Sequence, residues 1–194
     1  MAQLFVRIPR ERVGVLIGAR GNVKNYIEKK LSVKLDIDGE SGNVTITLRE
    51  DAEDPSLLFK AKEVVLAIGR GFSPERAFKL LDNEEYMLEI IDLRSILGRS
   101  ESSIKRVKGR IIGRNGRTRE TIEELTETLM SVYGHTVAII GNIEQVSIAR
   151  EAINMLINGS GHGTVYKFLQ RRRQKLKRRQ FELWEGGSLL PRSE

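Results

Sequence analysis

One short turn occurs twice in this chain, as Gly18-Ala19-Arg20-Gly21 and as Gly113-Arg114-Asn115-Gly116, at a separation of 95 residues (18 against 113). Each copy follows an apolar run, Val15-Leu16-Ile17 and Ile111-Ile112, and each opens a helical pattern. Paired glycines permit a tight turn and a close approach of backbone to a ligand. The helix that follows begins with unpaired N–H groups and a partial positive charge. A phosphate suits such a place. Two of them in one basic chain point to a nucleic-acid backbone rather than to a nucleotide cofactor.

The separation is that of a whole repeated unit. A shift of 95 sets Gly14 on Gly109, Leu16 on Ile111, Ile17 on Ile112, Ile27 on Ile122, Leu35 on Met130 and Ile37 on Val132. The next strand matches at 93, with Val44 on Val137 and Ile46 on Ile139, so the connecting loop is two residues shorter in the second copy. Within each copy the hydrophobic period alternates between 2 and 3.6. The first copy reads as strand Leu4–Ile8, short helix from about Val13 to Ile17, helix from Asn22 to Leu31, strands at 33–37 and 44–48, and a helix from Pro55 to Ile68. The second reads as strand Met87–Leu93, helices at 103–112 and 117–127, strands at 129–133 and 136–140 across a two-residue Gly134-His135 turn, and a closing helix at 143–157. Ser73–Leu81 predicts a linking helix and 159–163 a flexible Gly-rich joint. A basic helix from Val165 to Trp184, anchored by Phe181 and Trp184, precedes an unstructured tail from Gly186. The expected division is 1–72, 73–85, 86–159 and 160–194, in the α+β class with the order β-α-α-β-β-α in each copy.

Charge sharpens the reading. Eight of the 33 basic residues lie at 167–179 without one acid: Lys167, Arg171, Arg172, Arg173, Lys175, Lys177, Arg178 and Arg179. Without them the balance is 25 basic against 26 acidic residues, so the excess sits in one segment. A second acid-free run surrounds the second turn, at Lys105, Arg106, Lys108, Arg110, Arg114, Arg117 and Arg119. Concentrated positive potential attracts polyanions. The stripe on the basic helix is too narrow and too interrupted by arginine for membrane attachment.

Other chemistries find little support. There is no cysteine, which removes disulfides and thiolate metal sites and suits a cytoplasmic protein. No apolar run is long enough to span a bilayer, and the N-terminus does not read as a leader. Glu50, Asp51, Glu53 and Asp54 precede Pro55 as acids that decorate a loop and a helix start. His135 and His162 lack a matched acid or nucleophile, and no Gly-Lys-Ser/Thr phosphate loop is present. The chain reads as a non-enzymatic protein without metal or cofactor.

A β-α-α-β-β-α unit with an apolar-Gly-x-x-Gly turn between its first two helices resembles the type I KH domain. The resemblance implies two such domains in tandem, each a three-stranded sheet packed on helices, followed by the basic helix. It also implies that the turn clamps about four nucleotides of single-stranded RNA. In the second copy the groove would then use Ile112, Ile122, Met130 and Val132, with backbone groups of 129–132 reading base edges. Gly113, Arg114, Asn115 and Gly116 would form the clamp, and Arg110, Arg117 and Arg119 would meet phosphates.

The run from Gly109 to Glu123, with Val137-Ala138-Ile139-Ile140-Gly141 and Val165-Tyr166-Lys167-Phe168-Leu169, is similar to the "partner of Nob" ribosome-assembly family. That likeness implies binding to small-subunit ribosomal RNA near its 3′ end. It further implies a processing endonuclease and the alpha subunit of translation initiation factor two as partners. Another reading is a KH adaptor or scaffold for an RNA-degradation or translation complex. The first copy, at Gly18, Ala19, Arg20, Gly21 and Lys24, has fewer surrounding bases, which leaves it open to RNA or to protein. Lys24 and Arg119 stand three places after the second glycine, where KH domains usually carry an apolar residue. A base in a helix's first turn opposes the macrodipole, a cost that a nearby phosphate would relieve.

Overall fold

The computed structural model describes residues 2–186, and the side chains of 180 and 183–186 lie outside that description. The first unit runs β1 (Gln3–Arg7), α1 (Arg10–Ile17), α2 (Asn22–Leu31), β2 (Val33–Ile37), β3 (Asn43–Leu48) and α3 (Leu57–Gly69). Two short helices follow, α4 (Pro74–Ala77) and α5 (Lys79–Asp82). The second unit runs β4 (Met87–Asp92), α6 (Leu93–Leu97), α7 (Glu101–Ile112), α8 (Arg117–Thr126), β5 (Leu129–Tyr133), β6 (Thr136–Gly141) and α9 (Ile143–Ile157). Helix α10 (His162–Gly186) closes the described chain. Each unit forms an antiparallel three-stranded sheet with the third strand central, in the orders β1-β3-β2 and β4-β6-β5.

Several expectations change. The linking helix is broken into α4 and α5, and Ser73 caps the first by accepting from the Arg76 N–H. The Gly-rich joint is a short ordered turn. Helix α10 starts within it, and the His162 ring bonds the Arg110 carbonyl at 2.9 Å. Helix α6 is an extra element with no counterpart in the first unit, where Pro9 leads straight from β1 into α1. Asp92 starts α6 by accepting from the Arg94 N–H. The anchoring expected of Trp184 lies outside the described side chains, Phe181 is exposed, and 187–194 lie outside the described residues. Asp54 does what the acidic run suggested and accepts from Ser56 N and Oγ at 2.8 and 2.6 Å.

The two units differ in what covers the outer face of the sheet. On β3, Val44 and Ile46 point into the core, while Thr45 and Thr47 face outward beside the exposed Phe5. On β6 every residue is buried. Val137 and Ile139 enter their own unit's core, whereas Ala138 and Ile140 join the core of the first unit. A strand covered on both faces reads as a continuous apolar run rather than an alternation. The cover comes from the preceding helices: α5 packs on β6, and α3, which is apolar almost all round, packs on the neighbouring β4. Lys60 Nζ on α3 also bonds the Tyr86 carbonyl at 2.6 Å.

Polar contacts lock the same junction. Ser131 Oγ donates to the Arg70 carbonyl at 2.9 Å, and Gly71, at φ +98°, lies where a Cβ would come within 2.7 Å of Ser131 and Tyr133. Arg12 donates to the Ile68 and Phe72 carbonyls and sits 5.7 Å from the centre of the Tyr133 ring. The Tyr133 hydroxyl donates to Glu11. Burial, and then that carboxylate, hold the Tyr133 phenol above its ordinary range. The neutral, donating phenol therefore supports the junction at neutral pH, and its contribution is lost as pH rises through the raised value.

Candidate nucleic-acid interface

The two Gly-x-x-Gly turns have nearly the same backbone. Gly18 and Gly113 each end a helix at φ 73° with ψ 175° and 176°, a region essentially confined to glycine. A Cβ on Gly113 would fall 2.1 Å from Thr118 Oγ1, and one on Gly18 would fall 2.2 Å from Asn22 Oδ1. A single 3-10 turn follows, and its middle residue, Arg20 or Asn115, is left-handed at φ 53°. Gly21 and Gly116, at φ 78° and 80°, then start α2 and α8. Asparagine enters the left-handed region far more readily than arginine, so the second turn suits its conformation better. Gly113→Ala should destabilise the protein by about 3 kcal/mol, and Gly116→Asn, which keeps an accessible conformation, by less than about 1 kcal/mol. Urea unfolding of the two variants checks this contrast.

Beside the second turn lies an open groove of about 790 Å³ between α6–α7 and the Gly134-His135 hairpin turn. Ile112 and Gly109 line its end nearest the clamp, and Lys108 Nζ bridges it to the Gly134 carbonyl at 2.6 Å. A Cβ on Gly109, or on its repeat mate Gly14, would meet nothing within 4 Å. A mid-helix glycine costs about 1 kcal/mol relative to alanine. Packing does not require it at either site, so each leaves bare helix surface where a ligand can approach.

Strand β5 leads into the hairpin turn that lines the groove, and its polar outer edge is partly occupied. A two-residue hairpin leaves the N–H and C=O of alternate residues, here Met130 and Val132, pointing outward. Met130 N–H donates to Glu123 Oε1 at 2.6 Å, and the first unit repeats the bond from Leu35 N–H to Glu28 at 2.7 Å. The backbone expected to read bases is thus already engaged at Met130 and stays available at Val132. Met130 and Ile122 are fully buried core residues and do not line the groove, whereas Ile112 and Val132 keep partial exposure.

The arginines divide by role. Arg114, Asn115 and Arg117 are exposed around the turn. Arg110 is not aimed at a phosphate: its Nε and Nη2 donate to the Leu156 and Ser160 carbonyls, closing the C-terminal end of α9. Arg119 is about one-third exposed and lies between Glu120 and Glu123 at 3.7 and 3.8 Å. Glu123 also pairs with Arg76 of the linking segment, so the network runs from the clamp helix to the junction. In the first unit, Ala19 and Arg20 are exposed and Lys24 lies 3.9 Å from Glu28.

Helix α10 packs on α8 and α9 through the buried Val165 and Leu169. Tyr166 hydroxyl bonds Thr118 Oγ1 at 3.0 Å, directly behind the clamp. Its bases split accordingly. Arg172 and Arg179 pair with Glu151 and Glu144 at 3.0 and 3.3 Å, and Arg173 is half-buried. Arg171, Lys175, Lys177 and Arg178 are exposed, and Arg178 pairs with Glu182 on the same helix. Among the described residues no helix is long and apolar enough to cross a membrane.

Known proteins share this arrangement. Residues 87–174 match the profile described as eukaryotic-type KH domain, KH-domain type I, of the second KH domain of PNO1. Residues 3–66 match the general KH domain. A KH domain-containing protein of Methanocaldococcus jannaschii is 53% identical over 181 residues, covering 93% of this chain and 78% of the relative. The pre-rRNA-processing protein PNO1 of Coccidioides immitis is 26% identical over 174 residues, covering 90% and 68%. Among solved structures, aDim2p in an a/eIF2alpha–aDim2p–rRNA complex from Pyrococcus horikoshii superposes with a TM-score of 0.84 at 52% identity, covering 90% of this chain and 95% of that one.

Proposed function

This chain belongs to the PNO1/Dim2p family of tandem KH proteins, and on that footing we propose that it binds single-stranded ribosomal RNA in maturation of the small ribosomal subunit. One observation carries the reading: the second Gly-x-x-Gly turn presents the exposed Arg114, Asn115 and Arg117 beside an open groove floored by Gly109 and Ile112. A phosphate backbone fits the turn's N–H groups and cations. The bases of about four nucleotides then lie along Ile112 and Val132. The relative's presence in a complex with rRNA, and the pre-rRNA-processing name of the fungal one, support this substrate class. The 3′ end of the RNA is the expected segment. The alpha subunit of initiation factor two, which stands in the same complex as the relative, is the partner with the best support, and the processing endonuclease rests on family likeness.

The exposed bases of α10 extend the electrostatic path. Replacing Arg171, Lys175 and Lys177 by Gln leaves the residues that pair with α9 untouched. It should weaken binding to all RNA sequences alike and reduce the slope of log K against log salt by about 2, at roughly 0.7 per lost single-strand phosphate contact. A salt titration of the variant against the parent measures this. An unchanged slope would remove α10 from the RNA path. Crosslinking the protein in cells and sequencing the bound RNA tests the substrate itself. Recovery of messenger RNA in place of small-subunit rRNA would overturn the ribosomal reading.

A further inference from the structure

The groove does not stop where a four-nucleotide clamp would end. It continues along α7 away from Gly113, and the extra helix α6 brings Arg94 to its far end, opposite His135 of the hairpin turn and next to Lys105. Helix α7 has 12 residues, which at about 1.5 Å each puts this end roughly 18 Å from the clamp. The first unit has nothing comparable. There β1 passes directly into α1, and the longer hairpin carries Asp38 and Glu40, with Arg10 bonded to the Glu40 carbonyl across the opening. The far end of the second groove thus carries Arg94 and Lys105 beside one acid, Glu101, where the first unit's hairpin carries the acids Asp38 and Glu40.

We propose that Arg94, Lys105 and His135 form an additional nucleotide subsite that carries the RNA strand beyond the Gly-x-x-Gly clamp of the second domain. The proposal rests on the RNA-binding reading above and adds a subsite that reading does not require. Lys105 is exposed, and Arg94 pairs at 3.2 Å with Glu101, the one acid lining this groove. Such surface pairs are weak, so a phosphate can take Arg94 over. The His135 ring, one-third exposed and 3.8 Å from Asp92, offers a stacking face for one base. Lys108, fixed on the Gly134 carbonyl, holds the turn and hence the ring in place. Continuity with the clamp and complementary charge select a nucleic-acid strand as the occupant, and the subsite makes the second domain the longer reader of the two.

The test is a thermodynamic cycle between protein and RNA length. The probes are oligonucleotides of the 3′-terminal small-subunit rRNA sequence, shortened one nucleotide at a time from each end. The proteins are the full chain and the variant with Arg94→Gln, Lys105→Gln and His135→Ala. The variant should bind the longest probe about tenfold more weakly, with two phosphate contacts gone from the salt slope. Shortening the probe at one particular end should cost the parent protein that same factor and cost the variant nothing. Additive effects of mutation and shortening at both ends, or an equal loss on all lengths, would overturn the subsite. Failure of the RNA reading itself shows separately, as unchanged binding after Arg114→Asp with Asn115→Asp. Unfolding midpoints of the variant and parent should agree, because all three side chains lie at the surface.

Discussion

Replacing Arg114 and Asn115 together by Asp will lower affinity for single-stranded RNA on the order of 100-fold, about 2.7 kcal/mol, and leave the fold intact. Both side chains are exposed, so no packing is lost. The backbone tolerates the change as well, because aspartate enters the left-handed conformation of position 115 nearly as readily as asparagine. What changes is the field at the turn, where the pair goes from a charge of +1 to −2 at the place a phosphate must sit. The same pair of changes at Ala19 and Arg20 probes the first unit, and the ratio of the two losses apportions RNA binding between the domains. Retention of full affinity after the change at 114 and 115 would place the RNA elsewhere. Fluorescence anisotropy with a labelled rRNA oligonucleotide reads the affinity, and circular dichroism on the same samples checks the fold.

The second large effect concerns the junction. Ile140→Asp should destabilise the protein by more than about 4 kcal/mol, because it forces an unpaired carboxylate into a dry interface. Ile140 is 1% exposed and packs in the first unit's core although it belongs to the second sheet. Its repeat mate, Thr47, faces solvent opposite Lys34. Thr47→Asp should therefore stay within about 0.5 kcal/mol, and the cross-strand lysine even favours it. Chemical denaturation of the two variants tests the comparison. Equal effects would mean that the two sheets bury their outer faces alike. The junction also fixes the relative placement of the two turns, so a variant that opens it should lose affinity for long RNA before it loses affinity for short RNA.

Much of the architecture was legible because its determinants are local. The glycines at 18, 21, 113 and 116 permit a left-handed turn that other residues resist, and the apolar run before and the helical pattern after each pair place it. The alternation of Val33-Lys34-Leu35-Asp36-Ile37 and the 3.6-residue spacing around Ile122 likewise report which face is buried. The two-residue turn at Gly134-His135 set the register of β5 and β6. The break between α4 and α5 and the insertion of α6 were not legible, because short helices carry too few residues for a period to show. Val137-Ala138-Ile139-Ile140 did hold a signal of burial on both faces, as an unbroken apolar run, but a run of four residues does not say what covers the second face.

The candidate site divides along the same line. Sequence located the clamp, and the exposed Arg114, Asn115 and Arg117 stand where their positions implied. It could not sort the remaining residues. Arg110 is as basic as Arg114 and four places away, yet it reaches the end of α9, because a guanidinium goes to whichever acceptors the fold leaves unpaired within its reach. Met130 has the same apolar character as Val132, but 0% of it is exposed. Arg94 lies far from the turn in the chain and reaches the same groove only because α6 folds beside the hairpin.

The sequence by itself determined the repeated unit, its strand and helix order and the two turns, since backbone sterics and hydrophobic period act over a few residues. Only the tertiary structure decided that the second sheet is buried on both faces, which arginines stay exposed and how far the second groove extends. Those outcomes depend on surfaces and hydrogen-bond acceptors that distant parts of the chain bring together.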